Sequence, residues 1–314
     1  MLSRSRKRRP FSFLGGVLGE MAYSYSKLFQ EVTGRTFENR PVFDPPRLTA
    51  LRKPIAQSTI GMFVSCGAQL PSDPPLGETE DISFRLVHRD TPVSKLAVSH
   101  KTKVRKWAVE DLNVAFPLER MKELEAEGTI GRLAHTSVSV VGSIQRFSEL
   151  VEQTIPAIKQ VYESQGVDLV FVFPFCPACH RACAVVARAL EARGLPTLSM
   201  SVLLEAAEET KPPRTCFLDF PLGCPAGRPH EAEQQRAILR AALDMAPKFD
   251  RQPWHIERLP FQWSRDGSRA WEEEVSDLYR NGGLKIVMEH RQAHHARGES
   301  LVGHEREFVV RCNC

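Results

Sequence analysis

The stretch VDLVFVFPFCPACHRACAVVARALEARGLPTL, residues 167–198, decides the fold of this chain. An apolar run (Val167, Leu169 to Phe173) breaks at Pro174 and gives way to Cys176-Pro177-Ala178-Cys179-His180. A helical pattern follows over 181–193, stops at Gly194 and leads into a second apolar run over 195–203. Upstream, residues 148–165 carry Leu150, Val151, Ile155, Ile158, Val161 and Tyr162 on one side of a helix, with Gly166 as its stop and Pro156 expected to kink it. Helix, strand, helix, strand with glycine stops is the pattern of right-handed βαβ units around a parallel sheet. The expected fold is α/β, with parallel-sheet Rossmann-like layers, helices on both faces and a division into two lobes.

A CxxC between the exit of a strand and the entrance of a helix is where a thiolate is easiest to make. The free N–H groups of the first turn and the positive end of the helix dipole lower a thiol pKa from roughly 8.5 toward 7 or below, and Pro177 suits a first helical position that needs no N–H. Cys176 is therefore the leading candidate for a reactive group. Cys183 follows Cys176 by two helical turns and Cys179 by one. It is either placed to resolve a mixed disulfide or sulfenic acid on Cys176, or is a small apolar helix-face residue.

Outward from this centre, residues 57–65 read as a strand that delivers Cys66-Gly67 to a loop, and 71–80 is too rich in Pro, Asp and Gly to be regular. Residues 113–117 form a short apolar element. Pro117 opens a helix over 118–127 that stops at Gly128. A strand over 215–220 leads through the turn Gly223-Cys224-Pro225-Ala226-Gly227-Arg228-Pro229 into a helix over 231–245. Ligands of such sheets bind at the carboxyl ends of strands, where Cys66, Cys176 and this turn would fall. The organisation expected is a basic flexible tail (1–48) with one modest helix around 23–32, an α/β domain (49–248) divisible at 147/148, and a polar C-terminal extension (249–314).

The chain has 314 residues, 42% hydrophobic and 25% charged, enough for a sizeable core. Its net charge of +4 owes much to Arg4, Arg6, Lys7, Arg8 and Arg9, so it does not describe a basic nucleic-acid-binding face. Arg8-Arg9 before an apolar patch loosely resembles a twin-arginine signal. The patch is short and Glu20 interrupts it, which favours a tail or an over-extended start with Met21 as the alternative. No run approaches the ~18 apolar residues of a membrane helix. The eight cysteines (Cys66, Cys176, Cys179, Cys183, Cys216, Cys224, Cys312, Cys314) cluster rather than spread, which favours reduced thiols in the cytoplasm over a secreted disulfide scaffold.

Other chemistries are open at this motif. Zinc could draw on Cys176, Cys179, Cys183 and His180, with a second pair from Cys216 and Cys224 or Cys312 and Cys314. CxxCH is also a haem-attachment spelling, although that belongs to exported proteins. An inert cysteine cluster is the bland reading. Cys66 is a second site cysteine or simply part of a tight turn. His100, Asp111, Asn113, Glu119 and Arg120 are polar residues in structured stretches. The spacing of His290, His294, His295 and His304 defines no site.

Several segments together carry a resemblance. They are Asp81-Ile82-Ser83-Phe84-Arg85, Thr91-Pro92-Val93, 111–120 (DLNVAFPLER), Phe220-Pro221-Leu222-Gly223, Gly227-Arg228-Pro229, and Gly166-Val167-Asp168 leading into the Cys176 motif. Over roughly residues 50–245 the chain resembles the glycine/sarcosine/betaine reductase selenoprotein B family, which includes the D-proline reductase selenocysteine subunit. In that family a selenocysteine heads a UxxC motif, and it aligns with Cys176, with Cys179 as its partner. The resemblance implies reductive cleavage of a C–N bond of a small amino acid or N-methylated derivative. It further implies a pyruvoyl group on a separate partner subunit, external dithiols as electron donor, a supporting place for Cys183, and His100, Asp111 and Asn113 near the site. Cysteine in place of selenocysteine is less ionised and a poorer leaving group.

The function expected is thus a cytoplasmic thiol-dependent reductase subunit, with Cys176 as nucleophile, Cys179 as resolving thiol and no resident metal or cofactor in this chain. Two other classes stay open: a cofactor-independent racemase-like enzyme using Cys66 and Cys176, and a non-catalytic partner protein that retains the fold. Neither nucleic acid nor membrane is an expected partner.

Overall fold

The apolar run before the CxxC motif is the middle strand of an eight-stranded sheet in the computed structural model, which describes residues 22–33, 43–251 and 255–283. The basic run at 4–9, Met21, the four C-terminal histidines, Cys312 and Cys314 lie outside the described residues. In chain order the strands are β1 (Thr59–Val64), β2 (Ala68–Gln69), β3 (Arg85–His88), β4 (Ala97–Val98), β5 (Arg132–Leu133), β6 (Thr136–Ser139), β7 (Leu169–Phe173), β8 (Thr197–Ser201), β9 (Thr215–Phe217) and β10 (Ile256–Arg258). The main helices are α1 (Tyr25–Thr33), α2 (Arg105–Glu110), α3 (Leu118–Ala126), α4 (Ile155–Ser164), α5 (Pro177–Glu191), α6 (Leu204–Thr210), α7 (Ala232–Met245) and α8 (Trp271–Leu278).

The sheet runs β10-β9-β8-β7-β1-β6-β3, with β5 also on β1, and β2 and β4 form a separate antiparallel ribbon. Every pairing in the main sheet is parallel except that of the edge strand β3 with β6. β1 pairs with β7 from Ile60↔Leu169 to Val64↔Phe173. Residues before and after position 148 therefore contribute adjacent strands to one continuous sheet, rather than each building a sheet of its own.

All five residues of β7 are buried, as a parallel strand covered on both faces requires. The period-two alternation divides the core. Leu169, Phe171 and Phe173 join Ile60, Met62 and Val64 under Phe29 of α1, Met121 of α3, Leu239 of α7 and Val275 of α8. Val170 and Val172 face the other way with Phe63, against Ile158 of α4 and Val185 of α5.

The helix expected over 148–165 begins with a turn at Phe147–Glu149 and a π turn at Leu150–Thr154 before α4. Pro156 lies in the first turn of α4, where its missing N–H costs nothing, so the disturbance takes the form of a widened turn just ahead of the proline. Gly166, at φ 66°, supplies the left-handed residue that turns the chain from α4 into β7.

Both ends of the described chain add packed elements. Phe29 of α1 is fully buried, and Ser24 and Ser26 donate hydroxyl hydrogen bonds of 2.7 and 3.0 Å to the Glu205 carboxylate. β10 extends the sheet, and Trp271 of α8 packs against Tyr23 with ring centroids 5.8 Å apart. Among the described residues no helix is long and apolar enough to cross a membrane.

A buried ion pair closes the far end of α5. Arg214 Nη1 donates to Glu191 Oε1 at 2.5 Å, and neither side chain is exposed. The same carboxylate accepts from the backbone N–H of Thr197 (2.8 Å) and of Thr49 (2.5 Å), while Arg214 Nη2 donates to Thr49 O at 2.6 Å. Arg214→Met would strand a buried carboxylate, and urea unfolding should record a loss of about 3–5 kcal/mol. A loss under about 1 kcal/mol would show that the pair contributes no more than a surface bridge.

Candidate active site

Three neighbouring parallel strands, β6, β1 and β7, deliver their carboxyl ends to one place. Ser65 N donates to Phe173 O at 3.3 Å and Val140 N to Val64 O at 3.0 Å, and Cys66 pairs with Val141 across an isolated bridge. The β2–β4 ribbon then folds the chain back over these ends. Ser99 N donates to Gly67 O (2.9 Å) and His100 N to Cys66 O (3.3 Å), which sets the His100 ring above the strand termini. From the other side, β7 runs through Pro174 and Phe175 into Cys176, the extended N-cap of α5, with Pro177 as its first helical residue. Phe175 lies against the His100 ring, centroids 5.8 Å apart.

The result is a trio. Cys176 Sγ and Cys179 Sγ are 2.9 Å apart, and His100 Nε2 is 3.2 Å from each. Both cysteines are free thiols, and Cys176 Sγ accepts the backbone N–H of Cys179 at 3.3 Å. Gly142, at the end of β6, lets the backbone come this close, because a Cβ there would meet Cys179 Sγ at 2.9 Å and Ser65 Cβ at 2.8 Å.

Two thiols in contact share their first ionisation. For Cys179, burial works to raise the pKa, but the hydrogen bond from Cys176 and the charge and hydrogen bond of His100 outweigh it and hold the thiol well below its ordinary range. Cys176 goes the other way, raised first by burial and then by its hydrogen bond and charge interaction with Cys179. The lowered thiol expected at Cys176 thus falls to Cys179, where the interactions with Cys176 and His100 outweigh burial. Cys176 remains the approachable one, 4% exposed where Cys179 has no exposure.

The other candidates divide around this trio. Cys66 is fully buried beside it, and burial pushes its pKa up to about 12. Cys183, one turn after Cys179, is raised well above the ordinary range by burial and reaches the Ser65 side chain. His180 turns away. Its Nδ1 lies 2.8 Å from Cys176 O, and its Nε2 accepts the Val202 N–H at 3.2 Å, which fixes a neutral ring whose pKa burial lowers to about 4. It braces the first turn of α5 against the segment after β8.

Asp111 and Asn113 are not brought to the cysteines. The Asp111 carboxylate accepts from Asn113 N (3.0 Å), His230 N (2.9 Å) and Gln235 Nε2 (2.9 Å), and these bonds outweigh burial to lower its pKa. Asn113 Nδ2 donates to Glu119 Oε2 at 2.8 Å, and Ala226 N donates to Val114 O at 2.9 Å. The 111–120 motif and the glycine-containing turn at 223–229 therefore latch α2 and α3 to α7.

Tyr279, which follows α8, was not among the candidates. It is 2% exposed and interacts electrostatically with Cys176. The spacing Trp271, Val275, Leu278, Tyr279 is a helical apolar stripe that could have signalled a buried segment.

Among the described residues, His100, Cys176 and Cys179 are the group of three metal-ligating side chains whose ligand atoms lie together, within 4.8 Å of one another. His180, Cys183, Cys216 and Cys224 do not join them in such a group. A metal-bound imidazole ordinarily donates its other N–H to an acceptor, yet His100 Nδ1 is buried without a partner. The arrangement suits a thiol pair tuned by an imidazole.

No family model matches this chain, and no solved structure matches it significantly. Curated proteins do. The chain is 30% identical over 203 residues to the D-proline reductase subunit gamma of Acetoanaerobium sticklandii, covering 65% of this chain and 84% of that one. It is 23% identical over 232 residues to the glycine reductase complex component B subunit gamma of Carboxydothermus hydrogenoformans, covering 70% of this chain and 52% of the relative. It is 25% identical over 191 residues to the sarcosine reductase complex component B subunit beta of Peptoclostridium acidaminophilum, covering 56% and 42%. The match thus spans about half or less of the latter two. Each relative is named as a subunit or component of an amino-acid reductase, and the first is matched over most of its length, so this chain belongs to the selenoprotein B family of glycine, sarcosine, betaine and D-proline reductases.

Proposed function

We propose that this chain is the thiol-bearing subunit of a reductase that cleaves the C–N bond at the α-carbon of a small amino acid or N-methylated amino acid. The observation that carries this reading is one imidazole nitrogen 3.2 Å from two sulfurs that are themselves 2.9 Å apart. Cys176 is the nucleophile and Cys179 the resolving thiol. As substrate arrives, the Cys176 proton passes to the Cys179 sulfur, which His100 holds, and the freed Cys176 thiolate forms a bond to the α-carbon while the C–N bond breaks. The amine leaves with the bonding pair and takes the proton held on Cys179, which returns that sulfur to the thiolate.

The Cys179 thiolate then attacks the Cys176 sulfur. An S–S bond forms, the S–C bond breaks, and the carbon leaves with the pair and takes a proton. The substrate has gained two electrons and the cysteine pair has lost them, so an external dithiol must restore the pair. The site offers sulfur and imidazole, neither of which holds an amine as a carbonyl does. That task falls to a partner subunit bearing a pyruvoyl group, which when bound would supply the carbonyl for the amine nitrogen.

Reconstitution with such a partner and a dithiol tests the reading on glycine, sarcosine, betaine and D-proline. Cys176→Ser should abolish reductive turnover, and full turnover by that variant would overturn the proposal. In the reduced chain alone, residue-resolved alkylation against pH should show the first ionisation of the pair below the ordinary thiol range, with Cys176 labelled first because it is reachable. Mild oxidation should join Cys176 to Cys179.

Removing the imidazole removes a cause of the lowered pKa, so the profile of His100→Gln should move to higher pH. Labelling should then be about tenfold slower at neutral pH and unchanged in alkali. An unmoved profile would show that His100 does not tune the pair.

A further inference from the structure

We infer that His100, Cys176 and Cys179 form an exchangeable site for a thiophilic divalent cation such as zinc, whose binding keeps the pair reduced and closed to substrate. The binding stands on the geometry of the three donors, and its effect on turnover rests on the reading of Cys176 as the nucleophile.

Three donors of the right kind already converge. His100 Nε2 lies 3.2 Å from each of two sulfurs that are 2.9 Å apart. They come from anchored pieces of chain. Cys176 is the N-cap of α5 and Cys179 stands in its first turn, while the His100 backbone is tied at both ends, its N–H donating to Cys66 O at 3.3 Å and its carbonyl accepting from Thr102 N at 2.9 Å. A cation just off the plane of the three atoms can reach all of them at the ~2.0–2.3 Å of zinc bonds to nitrogen and sulfur, and a modest opening of the sulfurs brings the angles toward tetrahedral. Two thiolates and an imidazole are donors that select zinc or cadmium over magnesium or calcium. Cys176, 4% exposed, gives the cation its approach, and water can take the fourth position.

Two features make such a site exchangeable rather than structural. A structural zinc centre is closed by four protein ligands, and among the described residues no further cysteine or histidine joins these three. The outer support is also missing, because His100 Nδ1 is buried with no hydrogen-bond partner, and lack of such a partner ordinarily costs about 10–100-fold in metal affinity. Binding changes no oxidation state. Each sulfur that still carries a proton releases it to solvent as its bond to the cation forms. With both sulfurs committed to the cation, attack on carbon and closure to a disulfide are suppressed together. An external dithiol is itself a ligand for thiophilic cations, so the reductant that restores the pair would also clear the site.

Cadmium is the probe, in the full chain reduced and then freed of dithiol under anaerobic conditions. An excess of Cd²⁺ should slow iodoacetamide labelling of Cys176 about tenfold or more and delay the oxidation that joins Cys176 to Cys179, whereas Mg²⁺ should do neither, and a chelator should restore both rates. The Cd²⁺ concentration that gives half-protection should rise about tenfold or more in His100→Gln, as for loss of a ligand. Half-protection is read within each variant, so a change in the intrinsic reactivity of Cys176 cancels. Cys66→Ala should leave it unmoved, which puts the cation on the three donors rather than on the neighbouring thiol.

Undiminished labelling of Cys176 in excess Cd²⁺ would overturn the site. So would half-protection unmoved in His100→Gln, which would leave a bare dithiol holding the ion, or half-protection moved as far in Cys66→Ala, which would place the ion elsewhere. Each of these results leaves Cys176 as nucleophile. Failure of iodoacetamide to label Cys176 in the reduced, cation-free chain would instead overturn the nucleophile on which the effect on turnover rests.

Discussion

Two sulfurs buried in contact cannot both carry charge, and the surroundings of Cys176 and Cys179 follow from that constraint. The first proton lost must be compensated, and at Cys179 the contacts with Cys176 and His100 do this. The second is held back by the charge already present. The first ionisation of the pair is therefore favoured and the second opposed. Elsewhere in the core burial only raises thiols, as at Cys66 and Cys183.

This bears on the cysteine that stands where the family resemblance implies a selenocysteine. A selenol ionises at neutral pH with little help, whereas a buried thiol does not. On the proposed reading, the contacts of the pair with each other and with the imidazole favour its ionisation, so the strand-to-helix frame would present a sulfur nucleophile.

Much of the frame was legible in the sequence because it follows local rules. The apolar run at 169–173, the CxxC at a helix N-cap with Pro177 in the first turn, and the glycine stops each specify their own backbone. What was not legible depends on distant pairing. The two-residue strands β2 and β4 are too short to leave a periodic trace, yet their ribbon decides that His100 meets Cys176 and Cys179. His180 sits next to the motif in sequence, but its position on the helix turns it toward Val202. Asp111 and Asn113 belong to motifs that carry the family likeness, and their network shows that a shared motif can mark a structural latch as readily as a site. Tyr279 lies in a stretch whose charged composition conceals one buried stripe.

The ion pair at the end of α5 bears on the proposed chemistry as well as on folding. Glu191 and Arg214 anchor one end of the helix, and His180 braces the other against the segment after β8, so the backbone bearing the two cysteines is clamped at both ends. Closing the sulfurs into a covalent bond must then be accommodated by side-chain torsions, while the helix stays where it is. On the proposed reading, little of the surrounding protein would have to rearrange between the reduced and oxidised states, so the reorganisation cost of each cycle would be low and the surface met by a partner subunit would be the same in both halves of it.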